Sequence, residues 1–265
     1  MKKSLTFVCA VALVMAAGGT TVASASDSFE PINGAKEQLQ YNWHLRGFLG
    51  WIAGLRFPSS GVGELRTVAG SESVQSRLMI TTPSGQDGFY LYQSQMDQSG
   101  EKTLISYHGY EWGGKRRKIR TFFDYVKNIA RIHKETSTET EDKIKPTDGR
   151  EMRDVLTGIF YLRQNAASID APITTTIFSD GTSYPVLFRP MGMETLTFQS
   201  QKIPTRVFLI TAVPGSRHRY PGGVKVWITD DAKRLPLRIE IEQTMAALRL
   251  DLRSIDASEL QIAKR

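Results

Sequence analysis

Hydrophobic and polar side chains alternate with a period of two along much of the chain. Between Leu39 and Leu45 every second residue is apolar, and the residues between them are polar. This period is typical of β-strands that bury one face and expose the other. Further predicted strands are Val62–Ala69, Val74–Thr82, Phe89–Met96, Thr103–Glu111, Arg116–Asp124, Ile173–Phe178, Tyr184–Phe198, Ile203–Val213, Val224–Thr229, Leu235–Gln243 and Ala246–Ser254.

These predicted strands follow one another with turn-forming residues, not helices, between most of them. Such an order favours one antiparallel, meandering sheet. In the last hairpin, pairing Glu240 with Arg249 also places Arg238 opposite Asp251, and apolar residues then meet on the other face. Because a slip of one residue would lose both sets of pairs, the sequence predicts this register.

One segment in the middle of the chain has helical periodicity instead. Asp148 is a predicted N-cap, and apolar residues recur at helical spacing over the predicted helix Glu151–Arg163. The polar segment Glu135–Lys145 before it is predicted to be an exposed, mobile loop. The predicted fold is mainly β with one principal helix. The strongly curved antiparallel sheet would form an open or half β-barrel, with the helix in or across its concave side.

The N-terminus has the pattern of a secretory signal peptide. Lys2 and Lys3 precede the apolar run Leu5–Ala17, and Ala23-Ser24-Ala25 fits a cleavage site. We expect residues 1–25 to be removed and residues 26–265 to form a single β-barrel-like domain in the periplasm. No later apolar stretch approaches the ~20 residues that a membrane helix needs, so no transmembrane segment is expected in the mature chain.

Composition narrows the possible chemistry. Cys9, the one cysteine of the chain, lies in the predicted signal peptide, so disulfides and thiolate sites are not expected in the mature protein. The formal charge falls from +7 to +5 when Lys2 and Lys3 are removed. A mildly basic exported protein fits contact with anionic envelope components, and it fits the absence of such a partner equally well.

The motifs that suggest catalysis are incomplete. Gly109–Lys115 matches G-x-x-x-x-G-K, but Arg116 replaces the expected Ser or Thr and a predicted strand follows instead of a helix. The four histidines stand singly, and Asp230-Asp231 resembles a turn more than a catalytic pair. We therefore predict no catalytic residues, no metal site and no cofactor. Enzymatic activity is left open but not favoured, and nucleic-acid binding is not expected.

Aromatic residues and one basic strip are the predicted binding residues. Aromatic side chains along strands could line a pocket or fill the core. The densest basic run places Arg116, Lys118 and Arg120 on one strand face and Arg117 with Ile119 on the other. These cations could bind an anion at a cavity mouth or protect an edge strand from aggregation. The complete set of predicted ligand-binding residues is Trp43, Trp51, Tyr90, Tyr92, Trp112, Arg116, Lys118, Arg120, Phe160, Tyr161 and Trp227.

Several short blocks resemble an uncharacterised family of exported bacterial proteins, known as domain of unknown function 3108. The blocks are Glu37-x-Leu39-x-Tyr41, Ala53-Gly54, Phe123-Asp124, Asp154–Arg163 with Tyr161-Leu162-Arg163, Val226–Asp231 and Arg234-Leu235-Pro236. The resemblance implies an open, barrel-like antiparallel sheet with a helix in its hollow, which is similar to periplasmic lipoprotein carriers. It implies no catalytic residues, and fold-level analogy carries little functional weight.

Three functions are compatible with these features. The first is a non-catalytic periplasmic carrier of an amphiphilic lipid or lipid-linked ligand, for which a deep apolar hollow is expected. The second is an envelope polysaccharide-binding or polysaccharide-processing factor, in which two carboxylates about 5–10 Å apart would flank a glycan. The third is an adaptor that pairs with an envelope protein partner, with a hollow filled by residues 151–163.

Overall fold

A computed structural model describes residues 34–46, 59–82, 88–112, 115–218, 222–242 and 247–256, with only the backbone for residues 88, 89 and 112. The strands are β1 (Ala35–Arg46), β2 (Ser60–Ala69), β3 (Ser73–Thr81), β4 (Gly88–Asp97), β5 (Thr103–Trp112), β6 (Lys115–Asp124), β7 (Ile129–Thr136), β8 (Thr140–Pro146), β9 (Ile173–Ser179), β10 (Thr182–Phe198), β11 (Gln201–Ala212), β12 (Gly223–Thr229), β13 (Pro236–Glu242) and β14 (Ala247–Asp256). The helix α1 spans Val155–Asn165.

All the described strands belong to one antiparallel sheet, which confirms the predicted fold class. The 14 strands have the order β8-β7-β6-β5-β4-β3-β2-β1-β14-β13-β12-β11-β10-β9, so two meanders meet where β1 pairs with β14. The last hairpin has the predicted register, with Glu240 opposite Arg249 and Arg238 opposite Asp251. Arg238 Nε lies 2.6 Å from Asp251 Oδ1. The complementary charges and the apolar face therefore select the same register.

The prediction of a loop over Glu135–Lys145 is wrong. This segment contains the end of β7 and most of β8, which form a hairpin at one edge of the sheet. Most residues of β8 are exposed. Since β8 buries little of either face, its sequence lacks the alternation that reveals a half-buried strand.

The sheet curls until its two ends approach each other. Asp180, in the turn between β9 and β10, lies against Arg117 of β6, with 3.3 Å between the carboxylate and guanidinium atoms. The rings of Phe178, two residues before Asp180, and Phe123 of β6 also meet edge to face, with centroids 5.1 Å apart. These strands stand far apart in the order of the sheet, so only strong curvature can join them. Side chains join the two ends there, but no backbone pairing closes the barrel among the described strands.

Helix α1 begins later than predicted, with Asp154 as its N-cap instead of Asp148. Asp154 Oδ1 accepts a hydrogen bond of 2.8 Å from Thr157 N. The preceding residues are held outside the helix because Arg153 N donates to Thr176 O at 3.2 Å, and Phe178 N donates to Arg153 O at 2.7 Å. The backbone of Arg153 thereby partners the β9 edge.

Helix α1 packs against one face of the sheet, here called the inner face. Leu156, Ile159 and Leu162 are buried in the main hydrophobic cluster with inner-face residues of the strands. Gly158 allows a close approach, since an added Cβ would meet the Ile177 side chain at 3.0 Å. None of the described helices is both long enough and apolar enough to cross a bilayer.

A buried ion pair, which we call the latch, fixes the end of α1 to the sheet. Arg163 donates two hydrogen bonds to the Glu37 carboxylate, at 2.7 and 2.9 Å, and both side chains are 1% exposed. Arg163 Nε also donates to Arg234 O at 2.8 Å. Nearby, Tyr41 Oη donates to Pro236 O at 2.8 Å. The helix α1, the strand β1 and the β12–β13 turn are thus joined at one buried point.

Asp154, the N-cap of α1, is expected to make the free energy of unfolding depend on pH. Burial raises the pKa of Asp154 to about 6, above its ordinary value of 3.8, so protonation favours the folded state. This contribution is complete below about pH 4 and is lost as pH rises through 6. We expect Asp154→Asn, which retains a cap, to remove a pH dependence of up to about 3 kcal/mol. Urea midpoints of both proteins between pH 4 and 8 test this, and a constant difference between them would disprove it.

Candidate ligand-binding site

The two ends of the sheet differ in what lies against the inner face. The lower end, where the β4–β5 and β12–β13 turns lie, is covered by α1: Gln164 Nε2 donates to Ser99 O at 2.9 Å, and Arg163 reaches Arg234 O. At the upper end, six inner-face side chains stay partly exposed although they pack on the core. We call this set the upper hollow; it comprises Leu45, Tyr90, Tyr92, Tyr184, Ile241 and Leu248.

Stacked rings form one wall of the upper hollow. Tyr90 and Tyr110 lie with ring centroids 5.7 Å apart, and Tyr92 stacks on His108 at 4.5 Å with nearly parallel planes. Burial raises the pKa of Tyr90 to about 12, and the neighbouring Tyr110 acts in the same direction. The Tyr90 phenol therefore stays neutral at physiological pH, which suits a surface that contacts apolar matter.

Trp43 is fixed beside this wall. Its Nε1 donates to Thr81 O at 2.8 Å, and the side chain is 7% exposed. Gly61 on β2 leaves the space for the ring, since a Cβ there would lie 2.5 Å from Trp43 Nε1. Trp43 is thus a buried part of the inner face, three strands away from the strand of Tyr90 and Tyr92.

A charged trio lies where the upper hollow meets the joined ends of the sheet. Arg117 Nη2 is 3.3 Å from Asp180 Oδ2, and His108 Nδ1 is 3.8 Å from Asp180 Oδ1. All three side chains are less than 20% exposed. The Asp180-Gly181 turn has left-handed backbone angles, with φ of 49° and 75°, and Ile132 packs closely on Gly181. The upper hollow is therefore an apolar and aromatic surface with a few placed polar groups.

The structure brings some of the predicted aromatic residues to the inner face. Trp43, Tyr90 and Tyr92 lie there, as described. Tyr161 packs beside Phe188, and the guanidinium of Arg153 lies 4.2 Å from its ring centre. Phe160 instead belongs to a small cluster with Val74 and Met96 at the lower end. Trp51 and the side chain of Trp112 lie outside the described residues.

Four other predicted residues lie on the outer face and do not line the hollow. Arg116, Lys118 and Arg120 alternate with the buried inner-face residues of β6, and Arg116 pairs with Glu135. Trp227 alternates with the core residues Val226 and Ile228. Its Nε1 donates to Glu194 Oε2 at 2.8 Å, and Lys225 and Arg238 cover its ring. The two-residue period, which separates neighbours onto opposite faces, explains this placement.

Sequence reasoning missed His108, Tyr110, Arg117 and Asp180. The placement of Arg117 beside Ile119 was the available signal, since it put this arginine on the buried face. Nothing local to Asp180 indicates that it meets β6, because that contact depends on the curvature of the whole sheet.

A second concavity lies away from the upper hollow, on the β6–β8 part of the sheet. This groove has a volume of about 750 Å³ and is lined mostly by outward-facing residues, among them Phe122, Arg131, His133, Asp142 and Ile144. Phe122 and Ile144 are 42% and 67% exposed. Among the described residues, no three His, Asp or Glu side chains are grouped so that they could hold a metal ion.

Comparison with solved structures places the fold among barrel-like proteins. A beta-barrel-like protein of domain of unknown function DUF1849 from Brucella abortus has a TM-score of 0.59 at 9% identity, over 86% of this chain and 100% of that one. This likeness concerns the fold alone. The lipoprotein LppX from Mycobacterium tuberculosis has a TM-score of 0.28 at 10% identity, over 84% of this chain and 88% of its own, and adds nothing to that assignment.

The family follows from the sequence comparison. No curated protein sequence matches the chain significantly. A family model matches residues 55–253, about three quarters of the chain, and confirms the resemblance noted from the short blocks. The chain belongs to the family described as Protein of unknown function (DUF3108).

Proposed function

We propose that the protein is a non-catalytic carrier that holds the apolar part of an amphiphilic envelope ligand in the upper hollow. The observation that supports this most directly is the group of six apolar or aromatic upper-hollow side chains that remain partly exposed on the inner face. Lower-end residues such as Ile173 and Ile255 are also partly exposed, but within the described part of the chain they are not accompanied by stacked aromatic rings. Apolar side chains that a protein leaves accessible inside a concave sheet suit a guest of the same character.

The energetics suit reversible carriage. Burying an acyl chain of about a dozen methylenes contributes roughly 10 kcal/mol before costs, at ~0.8 kcal/mol for each. An association cost near the lower end of the range of about 4–15 kcal/mol would leave a modest net affinity of about 6 kcal/mol. The predicted signal peptide, if cleaved on export, would direct such a carrier to the periplasm; residues 1–25 lie outside the described residues. A glycan is the alternative ligand, because the same tyrosines can stack on sugar rings.

The proposal predicts that filling the upper hollow with a larger side chain weakens the binding of an acyl ligand. Leu248 faces the hollow from β14, so Leu248→Trp should occupy ligand space and lower affinity for monododecanoylglycerol at least tenfold in a calorimetric titration. Arg253→Trp adds the same ring at an exposed position on the same strand and serves as the control. Thermal melting of each variant confirms that it remains folded.

Either of two results would contradict the proposal. Wild-type protein that does not bind monododecanoylglycerol has no site for a neutral acyl chain. Equal binding by wild type and Leu248→Trp would place the acyl chain outside the upper hollow. Binding of a soluble envelope oligosaccharide, with no binding of the acyl probe, would favour the glycan alternative.

A further inference from the structure

A third concavity, smaller than the groove on the outer face, lies where the turn after β9 meets the inner face of β6, β7 and β8. Its volume is about 240 Å³. The strand residues that line it have the inward parity of Ile119 and Ile132, which also line it. We call it the seam cavity, since it occupies the junction between the two ends of the curled sheet.

The charged side chains of the seam cavity are predominantly cationic. Four cations and two carboxylates line it: Arg117, Lys134, Lys143, Lys145, Glu141 and Asp180. Each carboxylate has a cationic neighbour, although Asp180 Oδ1 is buried and accepts no hydrogen bond within the described part of the chain. Lys143 Nζ lies 2.6 Å from Glu141 Oε1, and Asp180 pairs with Arg117. Lys145 has no ion pair among the described residues.

The arginine of this cavity retains unused hydrogen-bonding capacity. Arg117 Nε is buried and has no hydrogen-bond partner within the described part of the chain, although Nη2 contacts Asp180. A buried guanidinium nitrogen without an acceptor is costly, and an anionic oxygen would satisfy it. The lysines from two adjacent strands would add charge to the same anion.

Arg117 also connects the seam cavity with the upper hollow. It lies opposite Tyr110 in the β5–β6 register, and Tyr110 contacts Tyr90 of the hollow. An amphiphile whose chain lies along the tyrosines could therefore extend its head group past Arg117. Arg116, Lys118 and Arg120 face the opposite side of the same strand and cannot share this anion.

We propose that the seam cavity binds a phosphate group, specifically the phosphate head of the ligand whose apolar chain occupies the upper hollow. The inference rests on the proposed function for the identity of the phosphate's source. The charge, volume and buried guanidinium of the cavity support phosphate binding independently of that source.

The test compares three probes by calorimetry on the folded full chain: dodecyl phosphate below its micelle concentration, monododecanoylglycerol and inorganic phosphate. We expect dodecyl phosphate to bind at least tenfold more tightly than the neutral lipid of equal chain length. Lys134→Gln and Lys145→Gln should each reduce that advantage about tenfold, as expected for a hydrogen bond between charged groups. Glu141→Gln, which removes a competing carboxylate, should increase it.

Outer-face variants provide matched controls. Lys118→Gln and Glu135→Gln make the same charge changes on the outer face of β6 and β7, and should leave the ratio of the two lipid affinities unchanged. A structural role of the cavity lysines alone would not produce opposite effects for Lys145→Gln and Glu141→Gln.

The outcomes separate this inference from the carrier proposal. Equal affinity for both lipids would leave the carrier proposal standing and overturn the phosphate site. Binding of inorganic phosphate that depends on Lys145 and Glu141, with no binding of either lipid, would retain the phosphate site and overturn the lipid source and the carrier proposal. Absence of binding by all three probes would overturn both.

Discussion

Glu37→Gln is expected to lower the free energy of unfolding by about 3–5 kcal/mol, the cost of leaving one partner of a buried ion pair uncompensated. Arg163 is 1% exposed, so water cannot solvate its guanidinium group once the carboxylate charge has been removed. Its other acceptors are neutral carbonyls, Arg234 O at 2.8 Å and Lys233 O at 3.4 Å. The amide that this substitution introduces can accept a hydrogen bond but cannot balance the guanidinium charge. Urea denaturation measures the loss.

Glu135→Gln is the matched control for the latch. Glu135 pairs with Arg116, but these side chains are 33% and 44% exposed, so solvent screens the pair. We expect a change of no more than about 1 kcal/mol. Similar losses for Glu37→Gln and Glu135→Gln would show that the latch does not hold α1 against the sheet.

Phe188→Ala should destabilise the protein by about 3–5 kcal/mol. The Phe188 ring is fully buried on β10, where it contacts Tyr161 of the helix, with centroids 6.3 Å apart, and lies beside Gly158. Removing it leaves a cavity between the helix and the sheet that the fixed latch prevents α1 from filling. The expected signs are a lower urea midpoint and weaker hydrogen-exchange protection of α1.

Phe122→Ala provides the matched control for this substitution. Phe122 is 42% exposed on the outer face, so the same truncation removes less buried area and opens no cavity. We expect its cost to be below about 1 kcal/mol. An equal cost for the two phenylalanines would contradict the assignment of inner and outer faces.

The parts of the fold that the sequence reveals are those in which one strand face is buried. The charge pairs at Glu240 and Arg238 and the apolar residues between them specify one register, which the structure has. The β7–β8 hairpin escaped prediction because most of β8 is exposed. The start of α1 was misplaced because Asp148 and Asp154 both resemble N-caps, and only the pairing of Arg153 with β9 distinguishes them.

The candidate site was harder to predict because it depends on contacts between distant strands. The alternating pattern assigned Arg117 to the buried face and Arg116, Lys118 and Arg120 to the other, and the structure has this arrangement. The pattern does not contain the curvature that brings Asp180 to Arg117. It also does not indicate which aromatic residues lie at the lower end of the sheet, as Phe160 of α1 does, and which lie at the upper end, as Tyr90 does.

Three of the short blocks that carried the family resemblance converge on the latch instead of the upper hollow. Glu37 and Tyr41 from the first block, Arg163 from the helix and Arg234-Leu235-Pro236 meet within hydrogen-bonding distance. These residues position the helix at the lower end of the sheet. They therefore support the architecture of the sheet and its helix.

Native mass spectrometry of the full-length gene product, purified from the periplasm of its own cells, tests the central claim most directly. The account predicts that wild-type protein retains a bound amphiphile, which is released by organic solvent and is reduced or absent in Leu248→Trp. Recovery of ligand-free wild-type protein from several independent preparations would contradict it.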